Sequence, residues 1–178
     1  MLDALPVLDA ILQRHAAELG KDHLPYRNHA YRVANFHWCL LPGSDEDRYV
    51  VSVAAAFHDL GIWTDGTFDY LRPSEAQARA YLQAEGCGDL VPLVLAMIDH
   101  HHQVSAMAGT ADPRIEAFRK ADWIDVTLGP RRFGVQSEDF KRILARFPRL
   151  GFHRRLLQFG WHHGLHHPLN PLPMLRRQ

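Results

Sequence analysis

Apolar residues recur along most of this chain at spacings of three and four, which is the period of an amphipathic α-helix. Residues 26–41 show the pattern clearly, with one helix face formed by His29, Val33, Phe36 and Leu40. The short run 49–53 has strand-forming residues, but it continues directly into an alanine-rich helical segment. Because no period-two run interrupts the helical pattern, the sequence predicts an all-α globule.

Capping and stop residues predict where these helices begin and end. Ser44 is expected to cap a helix that stops at Gly61. Asp112 and Pro113 are expected to open another, which closes at Gly129-Pro130. Further helices are predicted over 1–19, 74–86, 90–102, 137–147 and 152–161. Ser74 and Gln77 are expected to form a capping box at the start of the second of these. Loops are predicted over 65–73 and 167–178.

Length and composition narrow the class of protein. At 178 residues the chain is predicted to form one domain, 1–178, with enough residues to bury a core. Its 20 basic and 20 acidic side chains balance, which gives no sign of a nucleic-acid polymer or a membrane surface as partner. Cys39 and Cys87 are interpreted as free thiols in a reducing cytoplasm. The oligomeric state is left open, with a homodimer as one option.

Several predicted helices carry a titratable residue inside an apolar stripe: His29, the pair His58-Asp59, His101 and Asp122. Burying an imidazole or a carboxylate without a partner costs several kcal/mol. A single buried histidine is most often a hydrogen-bonded core residue, but carboxylates are rarely buried unpaired. Because the apolar faces of a helical bundle converge, these residues are expected to meet around a divalent cation.

Four segments contain these residues: "YRNHAYRV", "AAAFHDLGIW", "MIDHHHQV" and "FRKADWID". In this order they resemble the successive signatures of the HD-domain superfamily, the all-helical metal-dependent phosphohydrolases named for an adjacent His-Asp pair. The resemblance covers roughly residues 20–130. The helices and the Pro-rich tail in 131–178 are expected to pack on that core. The resemblance also implies the metal ligands, by position: His29, His58, Asp59 and Asp122.

The same resemblance bears on the number and identity of the ions. Members with two metals usually have two further histidines on separate helices, whereas this chain has the cluster His100-His101-His102. One divalent ion is therefore expected, with His101 close to it and binding water or substrate; direct ligation of the ion by His101 is the alternative. Two imidazoles and two carboxylates suit manganese, magnesium, iron, nickel or cobalt, and zinc less specifically.

Phosphate-ester chemistry needs further groups, for which the sequence offers candidates. Arg119 stands one turn before Asp122 and is the preferred residue to bind the phosphate oxygens, that is, the phosphate clamp. The lower-ranked candidates are Arg27, Arg32 and Lys120. For each of the four, a position on a solvated helix face is the alternative. Asp65, ahead of Asp69, is the candidate proton donor or water-positioning carboxylate, and a role in capping the turn at Gly66 is the alternative.

Near the end of the chain, "WHHGLHHPLNP" contains two histidine pairs at a spacing of four, His162 with His166 and His163 with His167. Each pair could chelate an ion if the helix persists. Gly164 and Pro168 predict that the helix frays there, and a bis-histidine pair needs further ligands to close a site.

These inferences lead to a functional hypothesis. The chain is expected to be a cytoplasmic hydrolase of a small phosphorylated molecule, such as a nucleotide or a phosphomonoester, that uses metal-activated water. A diiron oxygenase on the same scaffold and a catalytically silent metal-binding regulatory domain are the alternatives.

Overall fold

The computed structural model of the protein describes residues 1–105 and 112–166, and all regular structure in these ranges is helical. The predicted all-α fold is confirmed. The α-helices are α1 Pro6–Arg14, α2 Ala16–Leu19, α3 His23–Leu40, α4 Asp45–Phe57, α5 Gly61–Thr64, α6 Leu71–Ala84, α7 Val91–His100, α8 Pro113–Val126, α9 Ser137–Arg146 and α10 Phe152–His166. The predicted loop over 167–178, with its Pro-rich tail, lies outside the described residues.

Helix α3 is the centre of the fold. It packs along α8 and α4, while α4 also packs on α1 and α7, and α6 covers α7. The segment of α3 from Asn28 to His37 is buried without interruption, so this helix has no solvated face there. The core therefore lies among α3, α4, α7 and α8. The predicted metal-binding residues lie on or just after these helices.

Two helix starts agree with the caps predicted from the sequence. The Ser44 side chain accepts a hydrogen bond from the backbone N–H of Asp47, whose carboxylate accepts one from the backbone N–H of Ser44. Asp112 accepts from the backbone N–H of Arg114, with Pro113 in the first turn of α8. Such caps stabilise a helix by about 1 kcal/mol each.

Other helix boundaries were predicted wrongly, because tertiary contacts decide them. Helix α4 ends at Phe57, and Gly61 opens α5 instead of terminating α4. A Cβ at Gly61 would lie 2.6 Å from the carbonyl oxygen of Tyr70, so glycine here permits a close approach of two chain segments.

The predicted capping box at Ser74 and Gln77 is also wrong, since α6 begins earlier, at Leu71. Ser74 Oγ accepts a hydrogen bond from the backbone N–H of Gly61 at 3.0 Å, and Gln77 donates to Thr64 Oγ1 at 2.6 Å. Both side chains therefore tie α6 to α5. At the other end of the chain, α10 continues through Gly164 to His166, beyond the predicted end at residue 161.

Two further predictions concern the thiols and the membrane. Cys39 and Cys87 are both free, as predicted. Within the described ranges, no helix combines the length and apolar character required to cross a membrane. The cytoplasmic location stays a prediction.

Candidate metal centre

The four predicted metal ligands lie close together in the core. The ligand atoms of His29, His58 and Asp59 lie within 4.8 Å of one another, and Asp122 adjoins the two histidines. His29 comes from α3, His58 and Asp59 from the turn that follows α4, and Asp122 from α8. His29 Nε2 lies 2.9 Å from His58 Nε2 and 3.6 Å from both Asp59 Oδ2 and Asp122 Oδ1. His58 Nε2 lies 3.5 Å from Asp59 Oδ2 and 3.8 Å from Asp122 Oδ1. Three sequence-distant segments thus place their ligand atoms together.

The hydrogen bonds of the histidines assign their tautomers. His29 Nδ1 lies 2.7 Å from Asp125 Oδ2, and His58 Nδ1 lies 2.9 Å from the carbonyl oxygen of Ala55. His101 Nδ1 lies 2.5 Å from the carbonyl oxygen of Ile98. All three partners are acceptors, so each Nδ1 is the donor. Each neutral ring therefore presents the lone pair of its Nε2.

While both rings are neutral, the Nε2 lone pairs of His29 and His58 face each other at 2.9 Å and repel. A proton on His29 Nε2, donated to His58 Nε2, or a bound cation removes this repulsion. Nearby, Asp59 Oδ1, Asp122 Oδ1 and His101 Nε2 are buried and have no hydrogen-bond partner. Buried polar atoms of this kind are normally paired. The donor set therefore fits a divalent cation, and its nitrogen and oxygen atoms suit several divalent metals.

The pKa shifts of three site residues also indicate that the cluster favours an added positive charge. Burial opposes protonation of His29, but the hydrogen bonds to Asp125 and Asp59 outweigh burial and raise the pKa of His29 to about 9. Burial raises the pKa of Asp122 to about 7 and lowers that of His58 to about 3. The cluster thus draws a positive charge to His29 and disfavours a negative charge on Asp122.

Asp125, which the sequence analysis missed, positions the first histidine. Its carboxylate accepts from His29 and from Arg32, whose Nε and Nη2 lie 2.6 and 2.8 Å away. Burial would raise the pKa of Asp125, but these two donors hold it well below its ordinary value. A carboxylate behind a metal-binding histidine fixes the ring and its tautomer. The available signal was its spacing of three from Asp122, which places both carboxylates on one face of α8.

A second group of ligand atoms shares Asp59 with the first. Asp59 Oδ1 lies 3.4 Å from His101 Nε2, while Oδ2 faces His29 and His58. His102 belongs to this second group, and its Nε2 contacts the hydroxyl of Tyr70. His101 is thus next to the centre, where the sequence placed it. His100, by contrast, lines a separate cavity with Arg72 and Asp99.

The predicted catalytic side chains Arg119 and Asp65 lie elsewhere. Arg119 is buried, donates to both carboxylate oxygens of Glu116 at 2.7 Å, and lines a separate cavity with Lys120. Asp65 is exposed and accepts a hydrogen bond from Thr64. Neither lines the cavity at the metal centre.

The lower-ranked arginine candidates also have other partners. Arg32 belongs to the Asp125 network, and Arg27 pairs with Asp9 at 2.7 Å. The roles assigned to Arg119 and Asp65 stay predictions.

A cavity of about 810 Å³ opens at the candidate metal centre. The sequence did not predict this cavity. Asp59 and Asp122 contribute to its lining, together with His102, His153 and one face of α10. Helix α10 begins directly at the centre, since the Phe152 ring stacks on His29 with 4.1 Å between ring centroids. The cavity gives a substrate a route to the ligand atoms.

The histidines near the chain end do not join a metal-binding group within residues 1–105 and 112–166. There, the groups of three or more clustered ligand residues all include Asp59. His162 and His166 are neighbours, with ring centroids 4.4 Å apart, and His166 Nδ1 donates to the carbonyl oxygen of His162 at 2.8 Å. The pair of His163 with His167 falls partly outside the described residues.

No model of a known protein family matches this chain, and neither does any curated protein or any solved structure. The resemblance to the HD-domain superfamily therefore rests on the four motifs.

Proposed function

We propose that this protein is a cytoplasmic, metal-dependent hydrolase of small phosphate esters, and that it belongs to the HD-domain superfamily. The observation that carries the proposal is the meeting of His29 Nε2 and His58 Nε2 with buried, unpartnered oxygens of Asp59 and Asp122. This donor set lies at a cavity large enough for a small molecule. The order of the four sequence motifs supports the same proposal.

In the proposed reaction, His29, His58, Asp59 and Asp122 hold one divalent ion. When bound, such an ion polarises a phosphoryl oxygen and lowers the pKa of a water molecule. The two carboxylates offset the charge of the ion, and the two imidazoles supply neutral donors. Asp125 and Arg32 keep His29 in the tautomer that binds through Nε2.

His153 offers a hydrogen-bond acceptor on the cavity side. Its Nε2 donates to the carbonyl oxygen of Asp125 at 2.8 Å, so the buried Nδ1, which has no hydrogen-bond partner, presents a lone pair. Burial lowers the pKa of His153, which keeps the ring neutral near pH 7. His153 can therefore accept a hydrogen bond from a water molecule or a substrate hydroxyl. Because it lines the cavity, it is better placed for this task than Asp65.

The test is phosphate release by the full chain after reconstitution with manganese. A panel of nucleotides and phosphomonoesters is assayed with wild type, with Asp59→Asn, and with Asp89→Asn as a control on an exposed carboxylate. Wild type and the control should release phosphate and Asp59→Asn should not. A metal-loaded wild type that releases no phosphate from any ester would contradict the proposal and leave two candidates, the diiron oxygenase and the catalytically silent metal-binding domain.

The arrangement of Asp59 favours one competing function, a diiron oxygenase. Its Oδ1 faces His101 and its Oδ2 faces His29 and His58, so the two oxygens face two groups of ligand atoms. A carboxylate in this position could bridge two ions. Iron content distinguishes the candidates: about two iron atoms per chain with oxygen uptake supports the oxygenase, and one ion with phosphate release supports the hydrolase.

A further inference from the structure

The walls of the cavity at the metal centre are apolar beyond the ligand-bearing end. Helix α10 contributes Leu156, Leu157, Trp161 and Leu165, and α8 contributes Trp123 and Val126. Among the described residues that line the cavity there is no lysine or arginine, and no serine, threonine, asparagine or glutamine. The charged and polar lining groups lie toward the metal centre.

The face of α10 that forms this wall is uncovered in the described structure. Leu157, Trp161 and Leu165 recur every four residues and are 75%, 73% and 63% exposed. A helix normally buries such a stripe against the core. An exposed apolar surface that adjoins a polar centre is typical of a binding site.

Two glycines on α10 keep the cavity wide. Gly160 and Gly164 lie in the wall at a spacing of four, between the large apolar residues. A Cβ at Gly160 would meet only the Phe68 ring, at 3.6 Å, which is an ordinary contact. Packing therefore does not require glycine there, and glycine is unfavourable inside a helix. Its effect is to leave space on the cavity side of the helix.

We propose that the substrate carries an apolar chain that lies along α10 while its phosphate binds the ion that Asp59 and Asp122 would hold. The inference rests on the proposed function and names its substrate class: a phosphate monoester of an alkyl alcohol. A nucleotide fits these walls poorly, because the leucine and tryptophan side chains along α10 are apolar surface and do not match its polar ribose and base. An alkyl chain leaves no polar group unpaired and gains from burial against leucine and tryptophan side chains.

The first test measures chain-length dependence with the full, manganese-loaded protein. Butyl, hexyl and octyl phosphates and AMP are compared as substrates, and the matching alkylphosphonates as non-hydrolysable ligands. Trp123 and Trp161 line the cavity, so tryptophan fluorescence can report binding. Each added methylene should improve affinity and kcat/KM by about fourfold. A flat dependence on chain length, or preference for AMP, would overturn the inference.

The second test narrows the cavity. Gly160→Leu places a side chain in the wall, and Gln158→Leu, on an exposed part of the same helix, is the matched control. We expect Gly160→Leu to weaken octylphosphonate binding by about tenfold or more while metal content stays the same and the melting temperature does not fall. The control should bind as wild type does. Equal octylphosphonate affinity in all three proteins would contradict the inference.

The two tests separate this inference from the proposed hydrolase activity. If alkylphosphonates bind with the expected chain-length dependence but no ester is hydrolysed, the apolar site stands and the hydrolase proposal fails. If phosphate is released from AMP and from short esters without regard to chain length, the hydrolase proposal stands and the apolar substrate class is wrong.

Discussion

His29 and His58 face each other through their Nε2 atoms at 2.9 Å, and each has its Nδ1 bonded to an acceptor. Two imidazoles held in this way cannot satisfy one another while both are neutral. A proton on His29, whose pKa is raised to about 9, or a bound metal ion supplies the positive charge that the pair requires. This relationship makes the centre testable by metal content and by stability, independently of any substrate.

Removal of the metal should lower the melting temperature. A ligand that binds only the folded state stabilises it by RT ln(1 + [L]/Kd), or about 2.7 kcal/mol at a hundredfold excess over Kd. For a chain of this size we expect a shift of roughly 5–10 °C between protein with chelator and protein with added manganese, measured by thermal denaturation. Identical melting curves would count against the centre. Asp59→Asn serves as control, since it should not respond to manganese.

Asp59→Asn should abolish metal occupancy and hydrolase activity together. The substitution keeps the size of the side chain but removes the charge of the carboxylate that faces both histidine groups. Bound metal is measured by elemental analysis and phosphate release by a colorimetric assay. Unchanged metal content in a folded variant would show that Asp59 is not a ligand.

Asp125→Asn should weaken metal binding without removing a ligand. The neutral amide no longer selects the His29 tautomer and leaves the buried Arg32 charge without its carboxylate partner. We expect a loss of about 10- to 100-fold in metal affinity, measured by competition with a chromophoric chelator, and a lower melting temperature. Asp139→Asn, which breaks a surface pair with Arg142, should change neither. Wild-type affinity in Asp125→Asn would mean that Asp125 does not position His29.

Arg119→Ala distinguishes a phosphate clamp from a structural ion pair. Because Arg119 is bonded to both oxygens of Glu116, we expect its loss to lower the free energy of unfolding by about 1–3 kcal/mol, with metal retained. Phosphate-ester turnover should fall by less than about tenfold. A fall of about 10²–10³ at unchanged stability would instead assign Arg119 the clamp role predicted from the sequence.

Acid should destabilise the fold partly through His37. Burial lowers the pKa of His37 to about 4, below its ordinary value of 6.5, and the nearby charged groups are Arg114, Asp47 and Asp112. The folded state thus favours the neutral ring. This contribution is fully present above pH 6.5 and is lost as the pH falls toward 4. The whole difference corresponds to roughly 3 kcal/mol.

The measurement is thermal denaturation between pH 7.5 and 4.5. His37→Leu should show a flatter dependence on pH than wild type, because it removes the group that must take up a proton on unfolding. His166→Leu, on the exposed end of α10, should keep the wild-type dependence. Parallel curves for wild type and His37→Leu would contradict the assignment.

Local sequence determined the helices and several of the side chains that meet in the core. Apolar periodicity predicted α3 and α8, and the caps at Ser44 and Asp112 were recognisable because a helix start is satisfied within a few residues. The residues His29, His58-Asp59 and Asp122 were conspicuous because titratable groups are rare in apolar stripes. These features depend on short-range geometry, which the sequence itself contains.

Tertiary structure decided what those side chains do for one another. Three features depend on which competing partner is nearest in space. They are the role of Asp125 behind His29, the pairing of Arg119 with Glu116, and the start of α6 at Leu71. The cavity depends on how α10 crosses the metal centre, with Phe152 on His29 and Trp161 left in the open wall. Hydrogen bonds and cavities are set by distances of a few ångströms between distant segments, and a linear pattern does not fix such distances.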